Sequence, residues 1–498
     1  MRPEAVESKG PREASFAETN AMNTLFSKLP SVNELLEMPP IKTLVDQANR
    51  SAVMQQTRQF LERMANDVQS AAASRGIPTP SEVAEQLARW LRSGQAGHAR
   101  RVINATGALF PRGTSGPPLP PAAVQAIANA ASGYTSHNPE MEPTNGGQAF
   151  RGVERLVKTL LGLESAIVTN SHETALLLAL GSLPGEEVIV SRAEVGELEP
   201  GVRLADLVAA SGKRLREVGA TNATRSEDYE AALSERTACI LRVQTGRYHV
   251  MGGADPVPLG ELAALGRRGN APVIVDAVAG AFVNVSRQVA GEPVVSESAQ
   301  QGVDLLLFSG GKLLGGPACG VIAGRSSLMG VIGAHPLAAA YAASPLILAG
   351  LEATLDLYRT PENVEQNVPL LALLLAPDLN LKNRAERLAP QLAISPAIAS
   401  AEVIADIGCL MEEAPPAAPY SGAQKLANWA VALAPARGTA ETLAAALRRG
   451  EPAVLGRVKD NRLLIDLRSV FPAQDAEIAL AVERLAGNDS AESRNPET

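Results

Sequence analysis

"LLLFSGGKLLGGPACG", residues 305–320, decides how this chain is read: an apolar run ends in one lysine, Lys312, set among Ser309, Gly310, Gly311, Gly315 and Gly316. The run has the length and the flanking turn residues of a buried strand. A lysine there is either a surface charge on a loop or a nucleophile held where something large and flat approaches the backbone. The surrounding sequence chooses between the two.

Outward from this stretch, residues from about 105 to 345 form short β-rich runs separated by helical periods. The runs are "SAIVT" (165–169), "EEVIVS" (186–191), "LREVG" (215–219), "TACILRVQ" (237–244), "APVIVDAV" (271–278), "DLLLFSG" (304–310) and "CGVIAG" (319–324). Between several of them lie "ETALLLALGSL", "VRLADLVAAS" and "LGELAALGRRG", which have helical spacing. This alternation predicts an α/β domain over 105–345, a large and mainly parallel sheet of seven strands with helices on both faces. Ligands of such sheets bind at the carboxyl ends of the strands, which is where Lys312 falls.

On either side the texture differs. Residues 29–104 read as a helical N-terminal domain. Ser31 with Glu34, and Thr79 with Pro80 and Glu82, spell two capping boxes, and Val83, Leu87, Trp90 and Leu91 mark one apolar helix face. Residues 346–488 read as a smaller C-terminal α/β domain with a hairpin turning at Asp460-Asn461. The polar ends, 1–28 and 489–498, read as disordered tails.

Composition narrows the function classes. The 498 residues are 46% hydrophobic and 20% charged, an ordinary globular balance with room for more than one core. Apolar stretches are broken by Gly, Pro or charge and the first residues are polar, so neither a membrane span nor a secretory signal is expected; the reading is a cytoplasmic enzyme. Three cysteines without a CxxC pair and five histidines without metal-ligand spacing argue against a metal site. A net charge of −8 disfavours general nucleic-acid binding, although Arg89, Arg92, Arg100 and Arg101 gather positive charge near the end of the helical segment.

Two nucleotide motifs fail. No G-x-G-x-x-G opens a helix after the first strand, and "SGGKLL" lacks both the earlier glycine and the hydroxyl residue of a P-loop. A site for pyridoxal phosphate (PLP) fits better. That cofactor needs an amine, a carboxylate facing its pyridine nitrogen, groups that bind phosphate, and a flat contact on the ring. Lys312 supplies the amine, and Asp276 ends another apolar strand, "PVIVDA". Asn170 and Ser171 stand at a helix start, where free N–H groups favour a phosphate. Ser309 adds a hydroxyl and His172 a ring to stack. Singly, each has an ordinary structural reading: a helix cap, a salt bridge, a half-buried histidine. Their order and their common place at strand ends point to PLP.

With "LPSVNELL" (29–36), "RVINATG" (101–107), "EVIVSRAE" (187–194), "EVGATNAT" (217–224), "FSGGKLLGGPACG" (308–320), "LEATLDLYRTPE" (351–362) and "GRVKDNRLLIDLRSV" (456–470) in that order, the chain resembles bacterial selenocysteine synthases over nearly its whole length. The resemblance implies a fold-type-I PLP-dependent transferase. In it Lys312 is the Schiff-base lysine and Asp276 faces the pyridine nitrogen. It also implies a ring-shaped homo-oligomer and an N-terminal domain that holds tRNA. The implied reaction removes the α-proton of a tRNA-borne serine, expels its β-hydroxyl and adds selenium from selenophosphate.

The chain departs from that family where anions are handled. Gly311 stands for an aspartate, and Gly116, Ala339, Ala342 and Ala223 stand for arginines; "QTGRY" replaces a histidine-led motif. Arginine binds phosphate oxygens in pairs, so these changes remove charge-assisted bonds. Arg112, Arg151 and Arg247 lie nearby and are the candidate substrate-binding cations. Three functions therefore stand open: the selenium transferase; a PLP-dependent lyase or racemase acting on a small amino acid without tRNA or selenophosphate; and a non-catalytic tRNA-binding or assembly relative.

Overall fold

The computed structural model describes residues 30–47, 50–70, 79–95, 100–111, 113–135, 151–199, 201–244, 256–289, 292–411 and 425–492. The tail expected at 1–28 lies outside them, as do residues 493–498. The chain divides into two compact units, Met1–Arg101 and Val102–Thr498.

The first unit is helical: α1 (Val32–Glu37), α2 (Pro39–Gln47), α3 (Arg50–Ser70) and α4 (Pro80–Gln95). Both capping boxes form. The Ser31 N–H donates to Glu34 Oε2 at 2.7 Å and the Glu34 N–H to Ser31 Oγ at 3.3 Å. Thr79 and Glu82 repeat the exchange at 2.7 and 3.4 Å, which satisfies donors that a helix start leaves orphaned. Leu35, Ile41, Phe60, Val83, Leu87 and Leu91 share one core, and Trp90 packs against Phe60 at 5.7 Å between ring centroids.

The second unit opens with two short strands, β1 (Val102–Ala105) and β2 (Ala108–Phe110), then helices α5 (Pro121–Ala131) and α6 (Arg151–Leu161). The βα series follows: β3 (Ser165–Thr169), α7 (His172–Ser182), β4 (Glu187–Ser191), and a small arm of β5 (Glu197–Glu199) and β6 (Val202–Arg203). Next come α8 (Leu204–Ala210), β7 (Arg214–Val218), β8 (Thr237–Val243), α9 (Leu259–Arg268), β9 (Val273–Ala277), β10 (Leu305–Ser309) and β11 (Gly320–Gly324). All seven runs read from the sequence enter one sheet of order β3-β11-β10-β9-β8-β4-β7. Only β11 is antiparallel to its neighbours.

Why these runs are unbroken in hydrophobicity is visible in β10. Leu306 and Phe308 enter one core and Leu305 and Leu307 another, because successive side chains face opposite sides of a sheet covered by helices on both. Burying each such side chain contributes roughly 1.5–3 kcal/mol.

The remainder comprises α10 (Pro345–Leu357), α11 (Asp378–Ala393), β12 (Ile398–Met411), β13 (Lys425–Pro435), α12 (Ala440–Arg449), β14 (Ala453–Lys459), β15 (Arg462–Asp466) and α13 (Asp475–Glu492). The β14–β15 hairpin turns at Asp460 and Asn461, both at positive φ, as a tight two-residue turn demands. The final helix runs to Glu492, past the expected start of the C-terminal tail at 489. A second sheet has order β1-β14-β15-β13-β12-β2. Residues 102–110 thus supply both of its edges, so the sheet curls until those edges meet at Thr106 and Gly107. Backbone pairing over a long sequence distance leaves no local signal, and the first of these strands begins in a stretch that read as the end of the helical segment.

Candidate active site

Sheet register brings the sequence candidates to one edge. Thr169, Gly320 and Ser309 lie side by side across β3, β11 and β10, and Leu307 of β10 faces Asp276 of β9. Asn170, Ser171 and His172 follow Thr169 directly, and Lys312 follows Ser309. Gly320 makes the approach possible: a Cβ there would come within 2.8 Å of His172 Cα and would strike the Ser171 carbonyl.

Asp276 is fully buried near the end of β9. Its Oδ1 is hydrogen-bonded to His172 Nε2 at 2.7 Å. Its Oδ2 is buried with no hydrogen-bond partner among the described residues. Burial pushes the carboxyl up to about 8, opposed by the positive charge of Lys312 and reinforced by Glu173. Burial, with Lys312 again nearby, pushes His172 down to about 4. Both groups thus favour their uncharged forms, and a buried carboxyl oxygen is left facing a missing donor. A protonated aromatic ring nitrogen from outside the chain would satisfy it and would favour the carboxylate.

His172, the residue expected to stack on the cofactor ring, has its Nε2 hydrogen-bonded to Asp276 Oδ1. No feature of the sequence marks that pairing, since the two residues are 104 positions apart.

Lys312 sits in the turn after β10. The Leu313 N–H donates to Ala279 O at 2.8 Å and the Gly315 N–H to Lys312 O at 2.9 Å, which holds the turn against the β9 loop. Gly311 has no room for a side chain, because a Cβ would lie 2.7 Å from Ala318 Cα. The Lys312 ammonium is ion-paired with Glu199 at the end of β5. Glu292 is buried, and burial pushes it up to about 7 against the pull of Lys312. Its Oε1 has no hydrogen-bond partner among the described residues. Neither glutamate was legible as a site residue, for a lone glutamate in a loop is the commonest of surface residues.

At the helix start, Ser171 caps α7. Its Oγ accepts from the Thr174 N–H at 3.2 Å, and Thr174 Oγ1 donates to Asn170 Oδ1 at 2.8 Å. Both side chains therefore hold the turn, the ordinary reading of a serine there. Ser309 is buried at the end of β10. Arg112 and Arg247 lie outside the described residues, as does the side chain of Arg151, whose backbone opens α6. Ala342 is bridged to Thr169, which puts this small residue at the site edge. Among the described residues no group of three or more His, Cys, Asp or Glu side chains could hold a metal ion, and no helix is long and apolar enough to cross a membrane.

Comparison with known proteins identifies the family and the fold. The family model described as L-seryl-tRNA selenium transferase matches residues 102–471, and that of the selenocysteine synthase N terminal matches residues 26–64. The chain is 36% identical to the L-seryl-tRNA(Sec) selenium transferase of Moorella thermoacetica over 466 residues, covering 93% of this chain and 97% of that protein. It is 34% identical to the protein of the same name from Nitratidesulfovibrio vulgaris, over 94% of this chain and 100% of the relative. Among solved structures, a D-glucosaminate-6-phosphate ammonia-lyase shares the fold with a TM-score of 0.53 and 19% identity, over 80% of this chain and 98% of that one. The chain belongs to the L-seryl-tRNA selenium transferase family.

Proposed function

We propose that this chain is a PLP-dependent L-seryl-tRNA(Sec) selenium transferase, which converts tRNA-borne serine to selenocysteine by loss of the β-hydroxyl and addition of selenium. The observation that carries the cofactor reading is the buried Asp276 Oδ2, left without a donor at the sheet edge that also bears Lys312. A pyridine nitrogen that is protonated supplies that donor. When bound, PLP draws electrons from the α-carbon of an amine joined to its aldehyde.

The chain's own residues do the rest. Asp276 keeps the proton on the ring nitrogen, and His172 fixes the orientation of that carboxylate through Oδ1. The Lys312 amine would anchor the cofactor and, when free, would take the α-proton of the substrate. Asn170, Ser171 and Ser309 are the residues assigned to the phosphate, which the amide groups at the α7 start would hold while the Asn170 and Ser171 side chains brace the turn. Arg112, Arg151 and Arg247 are the cations assigned to the selenium donor.

The finer partners follow the same reading: tRNA held by the helical unit, a homo-oligomeric ring, and a cytoplasmic location. Family membership of residues 26–64 supports the first.

Purified protein incubated with PLP and then borohydride should carry the cofactor at Lys312, and Lys312→Ala should lose both the adduct and the visible absorption. Charged seryl-tRNA(Sec) with selenophosphate should give selenocysteinyl-tRNA. Tight binding of that tRNA with no selenium transfer would refute the transferase assignment.

A further inference from the structure

We infer that Glu199 is a positioning residue for Lys312: it holds the lysine ammonium in the cofactor-free protein, so ion pairing and covalent attachment compete for one side chain. The inference rests on the reading of Lys312 as the PLP lysine and adds to it a residue from a different element.

The geometry is that of a built contact. Lys312 and Glu199 are paired with side chains only 19% and 21% exposed. The backbone under Glu199 is pinned, since Glu199 pairs with Val202 across the β5–β6 arm, Leu198 beside it is buried, and the Leu204 N–H closes the arm onto Gly196 O at 3.0 Å. Three other acidic groups, Glu173, Asp276 and Glu292, and the imidazole of His172, also surround the amine. Burial pushes Asp276 to about 8 and Glu292 to about 7, which makes both poor counter-ions near neutral pH. Glu199 makes the direct pair.

Attachment of PLP requires that pair to open. The ammonium gives one proton to Glu199 or to solvent, and the freed lone pair bonds to the aldehyde carbon. The aldehyde oxygen leaves as water and a carbon–nitrogen double bond remains, with one proton released overall. When a substrate amine displaces the lysine, one amine replaces the other at that carbon without water, and the lysine leaves as the free amine that takes the α-proton and so becomes an ammonium again. Glu199 then receives the ammonium and keeps it beside the reacting carbon.

The test compares two ligands on cofactor-free protein: PLP, which bonds to the lysine, and 4′-deoxypyridoxine 5′-phosphate, which has no aldehyde oxygen and cannot. In Glu199→Gln the competing pair is gone, so the Kd for PLP should tighten about ten-fold while that for the analogue stays unchanged. Glu199→Asp, which keeps the charge, should stay nearer the wild-type ratio. A general loosening of the site would weaken both ligands together, and that result, or an unchanged ratio, overturns the role of Glu199. Borohydride trapping and peptide mapping separate this failure from a deeper one: attachment at a residue other than Lys312 overturns the PLP reading and the Glu199 role with it.

Discussion

His172 Nε2 and Asp276 Oδ1 lie 2.7 Å apart at the end of β9, and the second oxygen of the same carboxyl has no partner among the described residues. One oxygen is oriented by His172, and the other is the atom assigned to the cofactor's ring nitrogen in the proposed function. Replacing His172 by Phe keeps the volume but lets the carboxyl rotate. Turnover should fall about 10–100-fold, and PLP should be held more weakly. Asp276→Ala should be the more severe of the two. Absorbance titration with PLP and steady-state rates would rank them, and a His172→Phe protein with wild-type behaviour would remove the orienting role.

The buried carboxyls set a pH dependence of stability in the cofactor-free protein. Glu292, raised from 4.5 to about 7, binds a proton in the folded chain that the unfolded chain has released. Between those values the folded state holds more protons, so stability falls as pH rises through the window and levels off above it. The loss is at most about 3 kcal/mol for this group. Glu194 and Asp466, both pushed by burial to about 7, and Asp276, pushed to about 8, act in the same sense. His172, lowered from 6.5 to about 4, acts in the opposite sense between those values. Urea midpoints should therefore drop from mildly acidic to mildly alkaline pH, and Glu292→Gln should flatten the slope.

The resemblance to selenocysteine synthases implies an aspartate at the position of Gly311. Restoring that residue alone should not improve the enzyme, because the new Cβ would meet Ala318 Cα at 2.7 Å and backbone cannot yield as a side-chain tip does. Gly311→Asp should cost about 1–3 kcal/mol of stability and lower activity. Thermal melts and transferase assays of the variant would decide, and a gain in both would show that the turn has room after all.

Arg468 spends its guanidinium inside the protein. It donates to the carbonyls of Leu373, Leu374 and Ala376 at 3.4, 3.3 and 2.7 Å, and through Nε to Ala427 O at 3.2 Å. Arg468→Ala should destabilise the second unit by about 3 kcal/mol or more, since several buried carbonyls lose a charged donor at once. Arg468→Lys should recover part of this, having a charge but not the fork. A change below about 0.5 kcal/mol in denaturant unfolding would mean that water replaces the guanidinium freely.

The large sheet was legible because β10 and its neighbours are buried on both faces and therefore read as unbroken apolar runs ending in glycine, serine or aspartate. Lys312 and Asp276 were legible for the same reason, as polar residues closing such runs. Glu199, Glu292 and the Glu194–Arg242 pair were not. Glu194 Oε1 meets Arg242 Nη1 at 3.2 Å, yet one lies in the turn after β4 and the other in β8, with no pattern to join them. The curled sheet was missed on similar grounds, for β1 and β2 are too short to carry a periodicity and find their partners some three hundred residues later.

That late pairing has a cost in time. On the ribosome, residues 102–110 emerge long before β12 at 398–411 and β14 at 453–459 exist to receive them. At about 5–20 residues per second the first strands wait roughly 20 to 70 s with bare backbone edges, while the large sheet between them can already assemble. Until then those few residues are open to pairing with another chain, and a chain truncated before β12 would leave them so permanently.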